Sequence, residues 1–379
     1  MSDPTIKLLR NLVAINSVNP SLVPGGAGEK EIAGMVAGEM RAIGMDVEVT
    51  EVAPGRPNVV GLLEGRAQGK SLMFCGHIDT VGVEGMSSPF DPIERDGRIY
   101  GRGAGDMKGG VAAMIEAARS LANSGGIKAG RLIVGAVVDE EYASIGAESL
   151  VENWSADAAI VTEPTDLVVS IGHKGFSWVE IKTEGRAAHG SRPLEGRDAI
   201  LRMGRVLSRL ENLDRQLQSQ TPHPVLGTPS LHGSLIDGGR ELSTYPDRCV
   251  LQIERRTITG ESEKTALNEV EEILAALSQE DSEFKGSAQL MFSRAPYETP
   301  AGHDLPQMLE SALSYTGRSA KRAGMTYWTD AAILGQAGIP SVIFGPGGAG
   351  YHGLDEYVRV EEVLVCRDAL AKLAIDFCV

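Results

Sequence analysis

No stretch of this chain approaches the roughly 20 consecutive apolar residues needed to span a bilayer. The opening residues, MSDPTIKLLRNLV, lack the basic segment and apolar core of a secretory signal. Instead Thr5, Leu8, Leu9, Leu12 and Val13 have the spacing of an amphipathic helix. Only four cysteines occur, Cys75, Cys249, Cys366 and Cys378, and no two form a C-x-x-C pair. A reduced cytoplasmic protein is the simplest account. There is no basic cluster to set against a net charge of -15, which argues against nucleic acid and anionic membranes as partners. Internal repeats and low-complexity segments are also missing.

What remains is an ordinary globular composition, 42% hydrophobic and 23% charged. At 379 residues the chain exceeds what one hydrophobic core usually accommodates, so two domains are expected. Ala27–Ile43 reads as a helix closed by Gly44, and 45–52 and 58–63 as strands around a Pro-Gly turn. Ser71–Cys75 is a short apolar run, the form of a buried parallel strand. A glycine-rich loop, GRGAGDMKGG at 101–110, runs into a helix over 111–122. Strands follow at 131–138 and 156–161. This βαβ alternation predicts a mostly parallel sheet covered by helices. From 176 to 295 the order becomes βαββαβ, the ferredoxin-like unit. It interrupts the first domain, because α/β signals resume after Pro300. The expected division is therefore 1–175 with 296–379, and 176–295 as an insert.

Ionisable residues recur where a predicted strand ends or a glycine-rich loop begins, where open α/β sheets place their chemistry. They are His77 with Asp79, Asp106, Glu140 with Glu141, Glu163, and His352. An isolated His-x-Asp is a structural pair, a metal ligand with its orienting partner, or half of an acid–base pair. Several carboxylates brought together repel one another and protonate unless a cation neutralises them. Two imidazoles and three carboxylates suit a pair of divalent metals, zinc first, with cobalt or manganese as alternatives. Glu140 and Glu141 are adjacent on what reads as an extended segment, so they point in opposite directions. One can ligate while the other faces the water between the metals.

The motifs GHIDTV, YGRGAGDMKGG, DEE, TEPT, AAHGSRP and, near the end, FGPGG with YHGLDEY occur in that order. Together they resemble the dinuclear-zinc amide hydrolases that include acetylornithine deacetylase, succinyl-diaminopimelate desuccinylase, aminoacylase and the glutamate carboxypeptidases. The resemblance implies a zinc-aminopeptidase-like α/β domain carrying a ferredoxin-like lid that also forms a homodimer. It implies that His77 and Glu163 hold one metal and Glu141 and His352 the other. Asp106 bridges them, Asp79 orients His77, and Glu140 is the general base. His189, in the lid, becomes the donor to the tetrahedral oxyanion, in its own subunit's site or the partner's.

Arg256 stands at the family's carboxylate-binding arginine, with Arg255 as the alternative. Gly347, in Gly345–Gly348, would bring backbone N–H groups near the substrate, and a tight turn is the plainer account. Ser243 stands where relatives carry an asparagine, with a shorter reach and one donor fewer. The expected activity is hydrolysis of the amide bond of a small N-acyl amino acid. A dipeptidase or carboxypeptidase of the same family is the alternative, and a non-catalytic binding protein is the rival of another class.

Overall fold

The computed structural model describes residues 3–379. Its chain divides into two units, Met1–Gly172 with Thr299–Gly324 and Thr329–Val379, and His173–Glu298 with Met325–Trp328.

The first unit is built on a mixed sheet. Its strands run in the order Asp46–Ala53, Arg56–Glu64, Arg131–Val137, Ser71–His77, Ala158–Val161, Ser341–Ile343 and Val169–His173. The four from Arg131–Val137 to Ser341–Ile343 are mutually parallel. Antiparallel neighbours flank them on both sides. Every residue of Ser71–His77 is buried. A parallel strand covered on both faces has no use for alternation, which is why it reads as an unbroken apolar run. The helices Gly109–Asn123 and Val360–Phe377 contribute to the same core, through Met114 and Leu370 among others. The helix expected over 27–43 begins at Lys30 and ends at Gly44, whose φ of 91° closes it with N–H bonds to Arg41 and Met40.

Some elements escaped the sequence. The helices Ile145–Asn153 and Ala331–Gln336 are short, and Val169–His173 is a strand of five residues. A small antiparallel sheet joins Gly348–Ala349, Tyr357–Arg359, Arg98–Tyr100 and Ile93–Arg95. Its central pairing, of Arg98–Tyr100 with Tyr357–Arg359, is remote in sequence and beyond the reach of local pattern. It matters for the site because it aligns the loop after Tyr100 with the loop before Tyr357.

The second unit has the βαββαβ order, with sheet order Ser230–Gly238, Arg248–Thr257, Gly175–Glu184, Gly286–Arg294. The helices Ala199–Gln218 and Thr265–Glu280 share a core with its sheet through Val179, Ile181, Met203, Leu251 and Val270. No described helix is long and apolar enough to cross a membrane. All four cysteines are free and buried.

Gly110 shows how tightly the Gly109–Asn123 helix is laid on the sheet. A Cβ there would stand 1.9 Å from the Thr162 carbonyl oxygen, next to Glu163. Gly110→Ala should therefore force helix and strand apart and lower unfolding stability by about 1–3 kcal/mol, measured by urea denaturation. A wild-type midpoint would contradict this packing.

Candidate metal centre

The parallel strands deliver side chains to one place because their C-terminal ends share one edge of the sheet. His77 closes Ser71–His77, and Glu163 lies two residues past Ala158–Val161. Asp106 enters from a tight turn, Ala104–Lys108, where its φ and ψ of −119° and 92° leave the helical region. His77 Nε2 lies 3.1 Å from Asp106 Oδ1 and 3.7 Å from Glu163 Oε1. His352 Nε2 lies 3.3 Å from Asp106 Oδ2 and 3.1 Å from Glu141 Oε2. Two groups of potential ligands result, His77–Asp106–Glu163 and Asp106–Glu141–His352, and they share Asp106.

The electrostatics are those of crowded, desolvated charge. Burial and the charge of Glu163 push the Glu140 carboxyl well above the usual carboxylate range. Burial, with the charge of Asp106, does the same to Glu141, to about 7, against the pull of His352. Glu163 is raised by burial even though His77 opposes it. Burial disfavours the charged form of His77, but Glu163, Asp106 and Asp79 outweigh it and hold its pKa well above normal. His352 is raised to about 10 by its contacts with Asp106 and Glu141. Asp106 is lowered despite burial, because both imidazoles face it.

Asp79 organises one side of this cluster. Its carbonyl oxygen is 3.1 Å from His77 Nδ1 and its carboxylate 3.5 Å away, so backbone and side chain both face that nitrogen. Nδ1 is thereby the donor, and Nε2 faces Asp106 and Glu163. The Asp79 carboxylate also accepts the Glu140 and Glu141 N–H groups, each at 3.2 Å. This corrects the expectation of an extended Glu140–Glu141 segment. The strand stops at Val137, and Asp139 turns the chain with a φ of 72°. The amides of Tyr142, Ala143 and Ser144 then close back on the Asp139 carbonyl. The two glutamates belong to a turn, so strand alternation does not separate them.

Sequence reasoning missed several residues behind the cluster. Asn19 donates through Nδ2 to Asp79 (2.8 Å) and Asp139 (3.0 Å). Asp139 in turn pairs with Arg56 at 2.6 Å, and Arg56 with Glu29. Nothing in Asn19-Pro20-Ser21 signals this, because its partners lie 60 and 120 positions away. Glu356 does lie in a motif, YHGLDEY. It accepts from Arg102 Nη1 at 2.6 Å and from the N–H groups of Gly103, Gly105 and Asp106 at 2.9–3.0 Å. Arg102 also donates to the Gly353 carbonyl, beside His352. One buried ion pair thus ties the turn carrying Asp106 to the loop carrying His352, whose φ of 58° is unusual for a side chain other than glycine.

The remaining predicted residues lie elsewhere. His189 and Ser243 are exposed neighbours in the second unit, where Gly190 N–H donates to the Ser243 carbonyl at 2.7 Å. Ser191 N–H donates to His189 Nδ1 (3.2 Å), which leaves Nε2 as the protonated nitrogen of the neutral ring. Arg256 is half-buried on the sheet, whereas Arg255 is fully buried and paired with Glu261 and Glu269. Gly347 does not present a free amide. Its N–H is donated to Glu362 Oε2 at 2.7 Å, and those of Gly345 and Gly348 go to Thr165 Oγ1 and the Tyr351 hydroxyl. Protein neighbours account for these glycines too. A Cβ on Gly345 would meet the Glu163 carbonyl at 2.4 Å, and one on Gly347 would meet Asp166 at 1.8 Å. The tight-turn account is the one the contacts support.

A mixed α/β sheet with imidazoles and carboxylates gathered near the ends of its parallel strands forms a candidate metal centre, and the family and relatives that follow make the protein a hydrolase of carbon–nitrogen amide bonds. The sequence profile of peptidase family M20/M25/M40 matches residues 73–376, and the chain belongs to that family. It is 30% identical to acetylornithine deacetylase of Vibrio campbellii, over 96% of this chain and 95% of the relative. It is 29% identical to N-formyl-4-amino-5-aminomethyl-2-methylpyrimidine deformylase of Bacillus subtilis, over 98% and 94%. The fold matches a tripeptidase from Staphylococcus aureus with a TM-score of 0.82 at 22% identity, covering 99% and 98% of the two chains.

The residues fit metal ions. Glu141 Oε1 is buried with no hydrogen-bond partner among the described residues, and such an atom is costly unless a cation or donor meets it. A cation must displace the proton that His352 carries below pH 10 or so and the proton that Glu141 shares near pH 7. Affinity should therefore rise with pH, and binding should release protons. Calorimetric titration of metal-free protein with Zn²⁺, in buffers of different ionisation enthalpy, measures both. Affinity that is flat from about pH 6 to 9 would contradict this charge balance.

Proposed function

We propose that the protein is a deacylase that hydrolyses the amide bond of a small N-acyl amino acid, with two divalent metal ions and Glu140 as general base. One observation carries the reading: two ligand groups share the single carboxylate of Asp106, with Glu140 beside them. His77 and Glu163 would hold one ion and Glu141 and His352 the other. Zinc suits this mixed imidazole and carboxylate set, with cobalt or manganese as alternatives. When bound, the ions would supply Lewis acidity to water and to the scissile carbonyl.

The chain's own residues do the rest. Glu140 takes a proton from the water that attacks the acyl carbon and returns it to the leaving amine. Its raised pKa, set by burial and Glu163, suits a group that must hold that proton between the two steps. Asp79 keeps the His77 ring in place through Nδ1. His189 donates from Nε2 to the developing oxyanion, and Arg256 takes the substrate α-carboxylate. The named activities of the deacetylase and deformylase relatives support an acyl group as the part removed.

Turnover of N-acetyl, N-succinyl, N-formyl and N-carbamoyl amino acids, measured beside a dipeptide, tests the reading. At least one acyl substrate should be turned over faster than the dipeptide, and the reverse ranking would make the protein a peptidase. Glu140→Gln should lower kcat by about 10²–10⁴-fold while elemental analysis still finds near two metals per chain. If it loses metal as Glu141→Gln does, the two glutamates have exchanged roles.

A homodimer through the inserted unit belongs to the same proposal. Its edge strand Ser230–Gly238 leaves Leu235 and Ile236 exposed at 66% and 57%, and Leu201 on the adjacent helix is exposed at 71%. Bare aliphatic residues on an unpaired strand edge favour strand addition by a second copy. Sedimentation should show a dimer, and Ile236→Lys should shift it toward monomer. Mixing Glu140→Gln subunits with His189→Ala subunits should restore part of the activity if His189 acts in trans. Heterodimers without restoration would place it in its own subunit's site.

A further inference from the structure

On the face of the second unit's sheet away from its helices, three strands set side chains directly opposite one another. Glu254, Trp178 and Phe292 form one row, and Arg256, Phe176 and Arg294 the next. Strand parity chooses these residues. Cys249, Leu251, Ile253 and Arg255 face the helices and are buried, so Glu254 and Arg256 face the other way.

The contacts converge on Arg256. Glu254 Oε1 accepts from Arg256 Nε at 2.7 Å, and Glu254 Oε2 accepts from Trp178 Nε1 at 2.9 Å. With one oxygen given to each donor, the carboxylate is held in a single orientation. The Phe176 ring lies beneath the guanidinium, 5.5 Å from centroid to Cζ, and Trp178 packs on Phe176 at 5.3 Å. The Arg256 side chain is 30% exposed, and its Nη atoms donate to no acceptor among the described residues. An arginine free in solution samples many rotamers. This one is fixed through Nε and its π-face, and only the Nη edge remains open.

We propose that Glu254 and Trp178 are positioning residues that hold Arg256 with its Nη edge aimed at a substrate carboxylate. The inference rests on the reading of Arg256 as the carboxylate-binding residue. Ordering the guanidinium in advance lowers the entropy lost when the carboxylate binds, so the two residues act on binding and not on the chemical step. A merely structural role for either would change stability and leave this selectivity alone.

The test uses Trp178→Phe, which keeps a ring but removes the donor, and Glu254→Gln, which keeps the shape but removes the charge. Two measurements are made on the full-length protein. One is steady-state kinetics with N-acetyl-L-ornithine and its C-terminal amide. The other is solvent exchange of the Arg256 Nε–H by NMR with labelled arginine, identified by its loss in Arg256→Lys. Each variant should raise KM for the acid about tenfold with kcat nearly unchanged, should leave the amide's KM alone, and should speed Nε–H exchange. Wild-type KM together with wild-type exchange would overturn the proposal. If Arg256→Ala leaves KM for the acid unchanged, or the acid is not turned over, the carboxylate reading of Arg256 or of the substrate fails. The exchange measurement still decides whether Glu254 and Trp178 hold the guanidinium.

Discussion

Like charge packed into a largely buried cluster is the constraint on which this structure depends. Asp106, Glu140, Glu141 and Glu163 converge at the ends of buried parallel strands, with two imidazoles among them. Bulk water screens them only in part, so each carboxylate raises the cost of ionising the next. The surroundings oppose that cost with fixed donors. Asp79 takes two backbone amides and the Asn19 amide, while Glu356 takes three amides and a guanidinium. What these donors leave unmatched, Glu141 Oε1 above all, is the charge that a divalent cation would satisfy.

The same logic explains why the supports lie so far apart in the chain. Each ligand loop is short, and a short loop cannot hold its own geometry against repulsion. The Asp106 turn is therefore pinned by Glu356, 250 positions later, and the Glu140–Glu141 turn by Asp79 and by Asn19 through Asp139. The glycines serve packing more than catalysis. Gly110 and Gly345 let a helix and a turn lie directly on the backbone of Thr162 and Glu163, which sets where Glu163 can point.

Much of this was written in local pattern. The Ser71–His77 strand showed itself as an apolar run, and Gly44 marked a helix end through its left-handed φ. The βαββαβ order of the insert followed from alternation and turn residues. The motifs identified His77, Asp106, Glu141, Glu163 and His352 as the residues that the fold then brings within a few ångströms of one another. Parity also accounts for where the two arginines point: Arg255 shares the core face with Leu251 and Ile253, and Arg256 lies on the other face.

The sequence by itself therefore determined most of the longer elements, the two-part organisation of the motifs and the chemical character of the site. Periodicity and residue type are local properties, and they survive in one dimension. Only the tertiary structure decided that Glu140 and Glu141 leave the strand at Asp139, that the Gly345–Gly348 amides are consumed by the protein, and that Asn19 and Glu356 hold the ligands in place. Those outcomes depend on which donor meets which acceptor across long separations. A hydrogen bond between residues 60 to 250 positions apart leaves no periodic trace, because its partners are set by how the whole chain packs.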